Sequence, residues 1–81
     1  MIHKLKTVQP YFNLVKCGVK IFEFRKNDRN YQLLDILILE EWSKENGYSG
    51  LFVKVQVTNI LVYFIVGMSE DFCIMSIERV K

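Results

Sequence analysis

"LFVKVQVTNILVYF", residues 51–64, decides the architecture. Val53, Val55 and Val57 alternate with Lys54, Gln56 and Thr58. Successive side chains of a strand point to opposite faces, so the valines mark an inner face and the polar set an outer one. The alternation breaks near Asn59, where Ile60 and Val62 take over the apolar positions. A one-residue parity change inside a continuous strand reads as a β-bulge or a barrel corner. A strand this long that must bend to keep one face inward belongs to a curled sheet.

The flanking segments extend the β reading. "LLDILILEEW" (33–42) is apolar at nearly every position, as expected of a strand covered on both faces or wound around a small barrel. "SKENGYSG" (43–50) reads as a polar loop with two glycines. Downstream, the apolar run 60–66 is broken by "GMSED" (67–71), and "FCIMSIERV" (72–80) is a last strand with Cys73, Met75 and Ile77 facing one way.

Upstream, "MIHKLKTV" (1–8) suits a short strand with Ile2, Lys4 and Lys6 on one side and His3, Leu5 and Thr7 on the other. "QPYFNLVKCG" (9–18) predicts a helix of about two turns. Pro10 fits its first turn, Tyr11, Leu14, Val15 and Gly18 follow helical spacing, and Gly18 suits the left-handed position past its end. "KIFEFRK" (20–26) alternates again, with Phe22 and Phe24 on one face and Ile21, Glu23 and Arg25 on the other. "NDRN" (27–30) is a turn, because Asn and Asp bond nearby backbone and tolerate left-handed geometry. The tally is mainly β, five or six strands with one short α-helix: a small open β-barrel with the helix packed at its side. A small barrel fills its interior with side chains, so a ligand binds outside it, at a rim, or in the groove between barrel and helix.

The 81 residues suffice for a single domain, taken as 1–81, and 51% hydrophobic content supplies a core at that size. Two cysteines, Cys17 and Cys73, lack the spacing of a zinc site or a disulfide framework and read as buried free thiols. The N-terminal stretch "MIHKLKTVQPYF" (1–12) has no apolar run of signal-peptide length, and the longest apolar run, 60–66, is far below the roughly 18 residues of a membrane span, which leads us to expect a cytoplasmic protein with no membrane partner.

Charge is segregated along the chain. Residues 1–30 carry seven cations against two anions, a net +5, and residues 31–81 carry four against seven, a net −3. If the first third stays contiguous in space, one side of the molecule presents a positive field. Its densest part is Lys20, Arg25, Lys26 and Arg29, with Lys16 just upstream.

Several enzyme classes drop out. No glycine-rich phosphate loop, nucleophile elbow or zinc-protease motif occurs, no metal-ligand spacing is present, and no cofactor is expected. His3 reads as a surface or rim histidine, Trp42 as closing the barrel rim, and Tyr48 as a loop residue. On a strand face, Glu23 and Arg25 stand about 7 Å apart along the chain. They form either a salt bridge alone, or part of a pocket with Lys20 as one wall and Glu23 as the other, in which Arg25 offers a forked donor to a phosphate or a carbonyl edge. Glu23 then accepts from a base amino group or holds the lysine ammonium.

"GVKIFEFR" (18–25) resembles the Gly-x-Lys-x-x-Glu-x-Arg signature of ASCH (activating signal cointegrator homology) domains, which are similar to the PUA family of RNA-binding β-barrels. The order of "HKLK", the helix, "EFRKNDR", "GYSG", "VKVQVTNIL" and "FCIMSI" resembles a minimal single-domain ASCH subgroup over residues 2–78. The resemblance implies a PUA-like barrel with a groove lined by Lys20, Glu23 and Arg25, and the binding of RNA or a nucleobase. Some ASCH relatives are amidohydrolases acting on a modified cytidine through a lysine matching Lys20, a threonine nucleophile and a distant glutamate. The threonine's position is Glu23 here, and Leu34 stands where a glycine usually precedes the aspartate, so a different local backbone path is expected before Asp35, which itself is expected to cap or anchor the strand.

Three functions follow as expectations. The first is an RNA- or nucleotide-binding module using Lys6, Lys20, Glu23, Arg25, Lys26 and Arg29. The second is amide hydrolysis on a modified nucleoside with Lys20 and Glu23 as the catalytic pair. The third is an adaptor for an acidic protein. The sequence leaves oligomeric state open.

Overall fold

The computed structural model of the protein describes residues 1–63 and 71–80. Five strands and one helix follow in the order β1 (Ile2–Thr7), α1 (Tyr11–Lys16), β2 (Phe22–Lys26), β3 (Ile36–Ser43), β4 (Gly47–Tyr63) and β5 (Phe72–Arg79). The end of the apolar run 60–66 and the break at Gly67 lie outside the described residues.

The strands form one sheet in the order β1-β3-β4-β5-β2, strongly curled into a half-barrel. β1 runs parallel to β3, and the other neighbours are antiparallel. The chain therefore lays down one edge strand, crosses through α1, and lays down the opposite edge before filling the middle. β4 bends where its register to β5 slips between Val57 and Asn59, at the parity break of the sequence. Before the bulge Val53, Val55 and Val57 are buried; after it Ile60 packs partly on the core while Val62 stays exposed.

The core joins those valines to Leu37 and Leu39 of β3, Cys73, Met75 and Ile77 of β5, and Phe12 and Val15 of α1. The helix thus plugs the concave side of the sheet, and its inward face differs from the expected stripe. Phe12 and Val15 are buried, whereas Tyr11 is half exposed. A helix of six residues rotates to whichever pair fills the hollow best, and Phe12 offers a ring with no hydroxyl to satisfy, whereas inward-facing Tyr11 would need a buried partner.

Other departures have local causes. Leu33 and Leu34 are exposed because β3 starts only at Ile36. The glycine loop shrinks to a turn at 44–46, with Gly47 to Gly50 already in β4. Cys17 caps the helix and is exposed, so only Cys73 is a buried thiol. His3 is buried rather than at a surface, because even and odd residues of β1 alternate faces and His3 shares the inner one with Leu5 and Thr7.

What holds His3 there is Asp35. Its carboxylate accepts from the Gln32 backbone N–H at 3.0 Å, from the Met1 amino group at 3.0 Å, and lies 2.8 Å from His3 Nε2. The Tyr31 ring meets the imidazole edge to face at 4.9 Å. Burial opposes ionisation of Asp35, but these hydrogen bonds and the amino-terminal charge outweigh it and bring its pKa down to about 2. The backbone bend before it survives the loss of glycine: Leu34 itself adopts φ +71°, its N–H donating to Val57 O at 2.8 Å and its carbonyl accepting from Gln56 at 3.2 Å.

Candidate functional site: the seam of the half-barrel

Curling brings the two edge strands together without pairing them. The gap is spanned by Arg25 of β2, whose Nη2 donates to the Lys6 carbonyl at 3.1 Å and to Thr7 Oγ1 at 3.3 Å, both on β1. Its Nε donates to Glu23 Oε2 at 3.1 Å. Glu23 is 2% exposed, the one acidic side chain buried in this region, and its other oxygen accepts from Lys20 Nζ at 3.2 Å. A carboxylate this buried needs opposite charge and donors around it, and the two cations supply both.

Lys20 is delivered by the way α1 ends. Gly18, at φ +80°, donates to Val15 O at 3.1 Å, and Val19 to Leu14 O at 3.0 Å, the paired bonds of a Schellman motif. Lys20 N–H then donates to the same Leu14 carbonyl at 2.9 Å, fixing the direction in which the chain leaves the helix toward β2. The lysine ammonium lies over two rings, 5.1 Å from the Phe22 centroid and 5.8 Å from that of Tyr11. These are cation–π distances.

Strand alternation puts Glu23 and Arg25 on the inner side of β2 and Phe22 and Phe24 on the outer, where each phenylalanine is 46% exposed. Because β2 is an edge strand, its free side opens onto a groove that both sets of side chains reach. The groove, about 420 Å³, runs between β1, α1 and β2 and is lined by Lys6, Tyr11, Lys20, Phe22, Glu23 and Arg25, with Thr7, Val8 and Phe24 completing it. Its size suits a small organic ligand. A hollow of about 440 Å³ beside the β3 to β4 turn is lined by Trp42 and Lys44 but also by Glu41 and Glu45, so its charged lining is mainly acidic.

Of the residues singled out in the sequence, Lys6, Lys20, Glu23 and Arg25 meet in this groove. Lys26 and Arg29 do not; they border an adjoining depression. Lys16 lines a different hollow, with Cys17 and Arg79, and its backbone carbonyl accepts from Arg79 at 2.8 Å. Arg25 uses Nε and Nη2 within the protein, so its role is that of a clasp as much as of a ligand fork. Tyr11, Phe22, Phe24, Thr7 and Val8 are the groove residues that sequence patterning did not assign to the site; the phenylalanines were read only as one face of their strand. Tyr11 was hidden by its helical spacing, which suited the core equally well, and Thr7 carried no signal of its own. Trp42 lies next to the last residue of β3, with Lys6 Nζ 4.5 Å from its ring centroid.

Burial pushes the Tyr31 hydroxyl up, against a lowering pull from Arg25 and Arg29. Every buried side-chain nitrogen and oxygen among the described residues has a partner. No three His, Cys, Asp or Glu side chains among them gather as a metal site. No helix among them is long and apolar enough to cross a membrane.

Fold and groove together define a small curled-sheet domain with a cationic and aromatic cleft at its seam. The chain belongs to the family described as a domain of unknown function, DUF3850, whose model matches residues 2–77. It is 44% identical over 59 residues to an uncharacterized 12.9 kDa protein in the GpA 3' region of Escherichia phage P2, a match covering 73% of this chain. The chain spans about half the length of that curated relative, 53%. Its fold is similar to the crystal structure of hypothetical protein PH0355, with a TM-score of 0.70 at 20% identity, over 99% of this chain and all of the other.

Proposed function

We propose that this domain is an RNA- or nucleotide-binding module of the ASCH and PUA-like kind, acting in the cytoplasm, with its ligand seated in the seam groove. The observation that carries the reading is the convergence on one cleft of three half-exposed rings and a lysine ammonium held by a buried glutamate. Flat heteroaromatic bases stack on such rings irrespective of base identity, and the ammonium and guanidinium attract the phosphate. Glu23 accepts one cation on each oxygen, and each oxygen keeps a further lone pair for a base amino group. This assigns Lys20 to the ligand, Glu23 to base reading and positioning, Arg25 chiefly to shaping the cleft, and Lys6 to its rim.

Hydrolysis of an amide on a modified nucleoside ranks below binding. Both oxygens of Glu23 face cations, and the hydroxyl of Thr7 accepts from Arg25 instead of resting on a base. The adaptor reading leaves the aromatic lining without a role.

Titration of single-stranded RNA and of nucleoside monophosphates against the wild type, Lys20→Ala and Tyr11→Ala separates the three. Salt-sensitive binding weakened by both substitutions supports the proposal. Turnover of an N-acyl cytidine lost in Lys20→Ala with binding intact supports hydrolysis, and absence of both activities leaves the adaptor.

A further inference from the structure

The groove does not end at Arg25. Beyond the guanidinium lies a second depression of about 330 Å³, and Lys6 and Arg25 line both. The two hollows differ in chemistry. The first is ringed by Tyr11, Phe22 and Phe24. The second adds Lys4, Lys26 and Arg29 to the shared pair, against Asp28 as its acidic wall residue, with the exposed Tyr48 ring at its margin.

Local structure explains the cluster. Lys4 and Lys6 are two residues apart on β1 and share its outer face, and the turn after β2 folds Arg29 back beside them. Lys4, Lys6 and Arg29 bring three cations to this hollow against Asp28, while Arg25 is already paired with Glu23, and an anion there offsets the remaining excess of positive charge. A hollow for a flat ring, a hollow for an anion, and a guanidinium shared between them reproduce the repeat of a single-stranded nucleic acid, in which base and backbone phosphate alternate. A nucleoside triphosphate offers the same two chemistries. Tyr48, 55% exposed beyond the cations, provides a further ring that only a next base would use.

We infer that the ligand is a single-stranded polynucleotide of at least two nucleotides, one base lying among Tyr11, Phe22 and Phe24 and the adjoining backbone phosphate among Lys4, Lys26 and Arg29. This rests on the nucleotide-binding reading of the groove. An intact base pair does not fit the aromatic hollow, since a base enters it only when unpaired.

The test is a calorimetric titration of the full chain with nucleoside monophosphates, nucleoside triphosphates and ribo- and deoxyribotrinucleotides, each for all four bases. The expected result is a trinucleotide at least about tenfold tighter than either mononucleotide class, with a gain seen for one sugar or both. Arg29→Ala and Lys4→Ala, both at exposed positions, remove most of that gain while monophosphate affinity changes by less than about twofold. Each lowers the magnitude of the trinucleotide salt slope by about 0.7. Circular dichroism melts confirm that both variants fold. Equal affinity for trinucleotide and mononucleotide, or a gain untouched by both substitutions, overturns the inference and leaves the groove as a mononucleotide site. Failure of every probe to bind overturns the groove reading as well.

Discussion

Arg25 on one edge strand reaches the carbonyl of Lys6 on the other at 3.1 Å, although four strand-to-strand steps separate the two edges within the sheet. That bond, with the one to Thr7, closes a seam that no backbone ladder closes. The same guanidinium neutralises buried Glu23, so barrel closure and groove electrostatics depend on one side chain.

Arg25→Ala removes the clasp and leaves Glu23 with Lys20 alone. A loss of about 2 to 4 kcal/mol is expected in urea unfolding, because a buried charge loses one of its two partners and β1 loses both bonds that tie it to β2. Arg25→Lys recovers only part, since an ammonium cannot bridge β1 and Glu23 with a planar fork. A loss under about 0.5 kcal/mol for Arg25→Ala contradicts the clasp.

Lys20→Ala has a different profile. Arg25 still faces Glu23 and the seam stays closed, so stability falls by about 1 kcal/mol while nucleotide affinity falls roughly tenfold. Equilibrium unfolding and a binding titration on the same sample check both.

Stability depends on acid pH through Asp35. Its pKa is lowered from 3.8 to about 2 in the folded chain, so the carboxylate is ionised in the fold where the unfolded chain already binds a proton. The contribution is complete above about pH 5, declines as pH falls through 3.8, and is gone below about 2. After allowance for solvent screening near the exposed Met1 it amounts to about 1 to 2 kcal/mol. Asp35→Asn flattens this part of the stability against pH curve; an unchanged curve contradicts the assignment.

Leu34→Gly is expected to stabilise. Leucine at φ +71° carries about 1 to 2 kcal/mol of left-handed strain, and its side chain is 68% exposed, so little packing is lost. Against the flexibility glycine adds to the unfolded chain, a net gain of about 0.5 to 1 kcal/mol remains. Thermal unfolding decides the sign.

The β architecture was legible wherever side-chain alternation carries it. Val53, Val55 and Val57, the break at Asn59, and the Cys73, Met75, Ile77 set all landed as the period of two requires. Gly18 announced the end of α1 for a similar reason, because few other residues accept its backbone angle at low cost. Orientation within α1 was not legible, since Tyr11 and Phe12 are adjacent and both apolar enough to be the inward ring. The burial of His3 was hidden too: it depends on Asp35, 32 residues away, and on the crossover that sets β1 beside β3. In the site, Lys20, Glu23 and Arg25 were visible as a charged triplet on one short stretch. That Lys26 and Arg29 would border a separate hollow follows from the turn at 27–30, whose path composition does not determine.

The most direct test of the groove as a nucleotide site is a two-dimensional amide NMR titration with a short single-stranded RNA. Concentration-dependent shifts centred on Lys6, Thr7, Tyr11 and residues 20–25, extending to Lys4, Lys26 and Arg29 and needing roughly tenfold more ligand in Lys20→Ala, are the predicted result. Shifts centred on the outer face of β4 around Lys54 and Thr58, or no shifts at millimolar ligand, would contradict it.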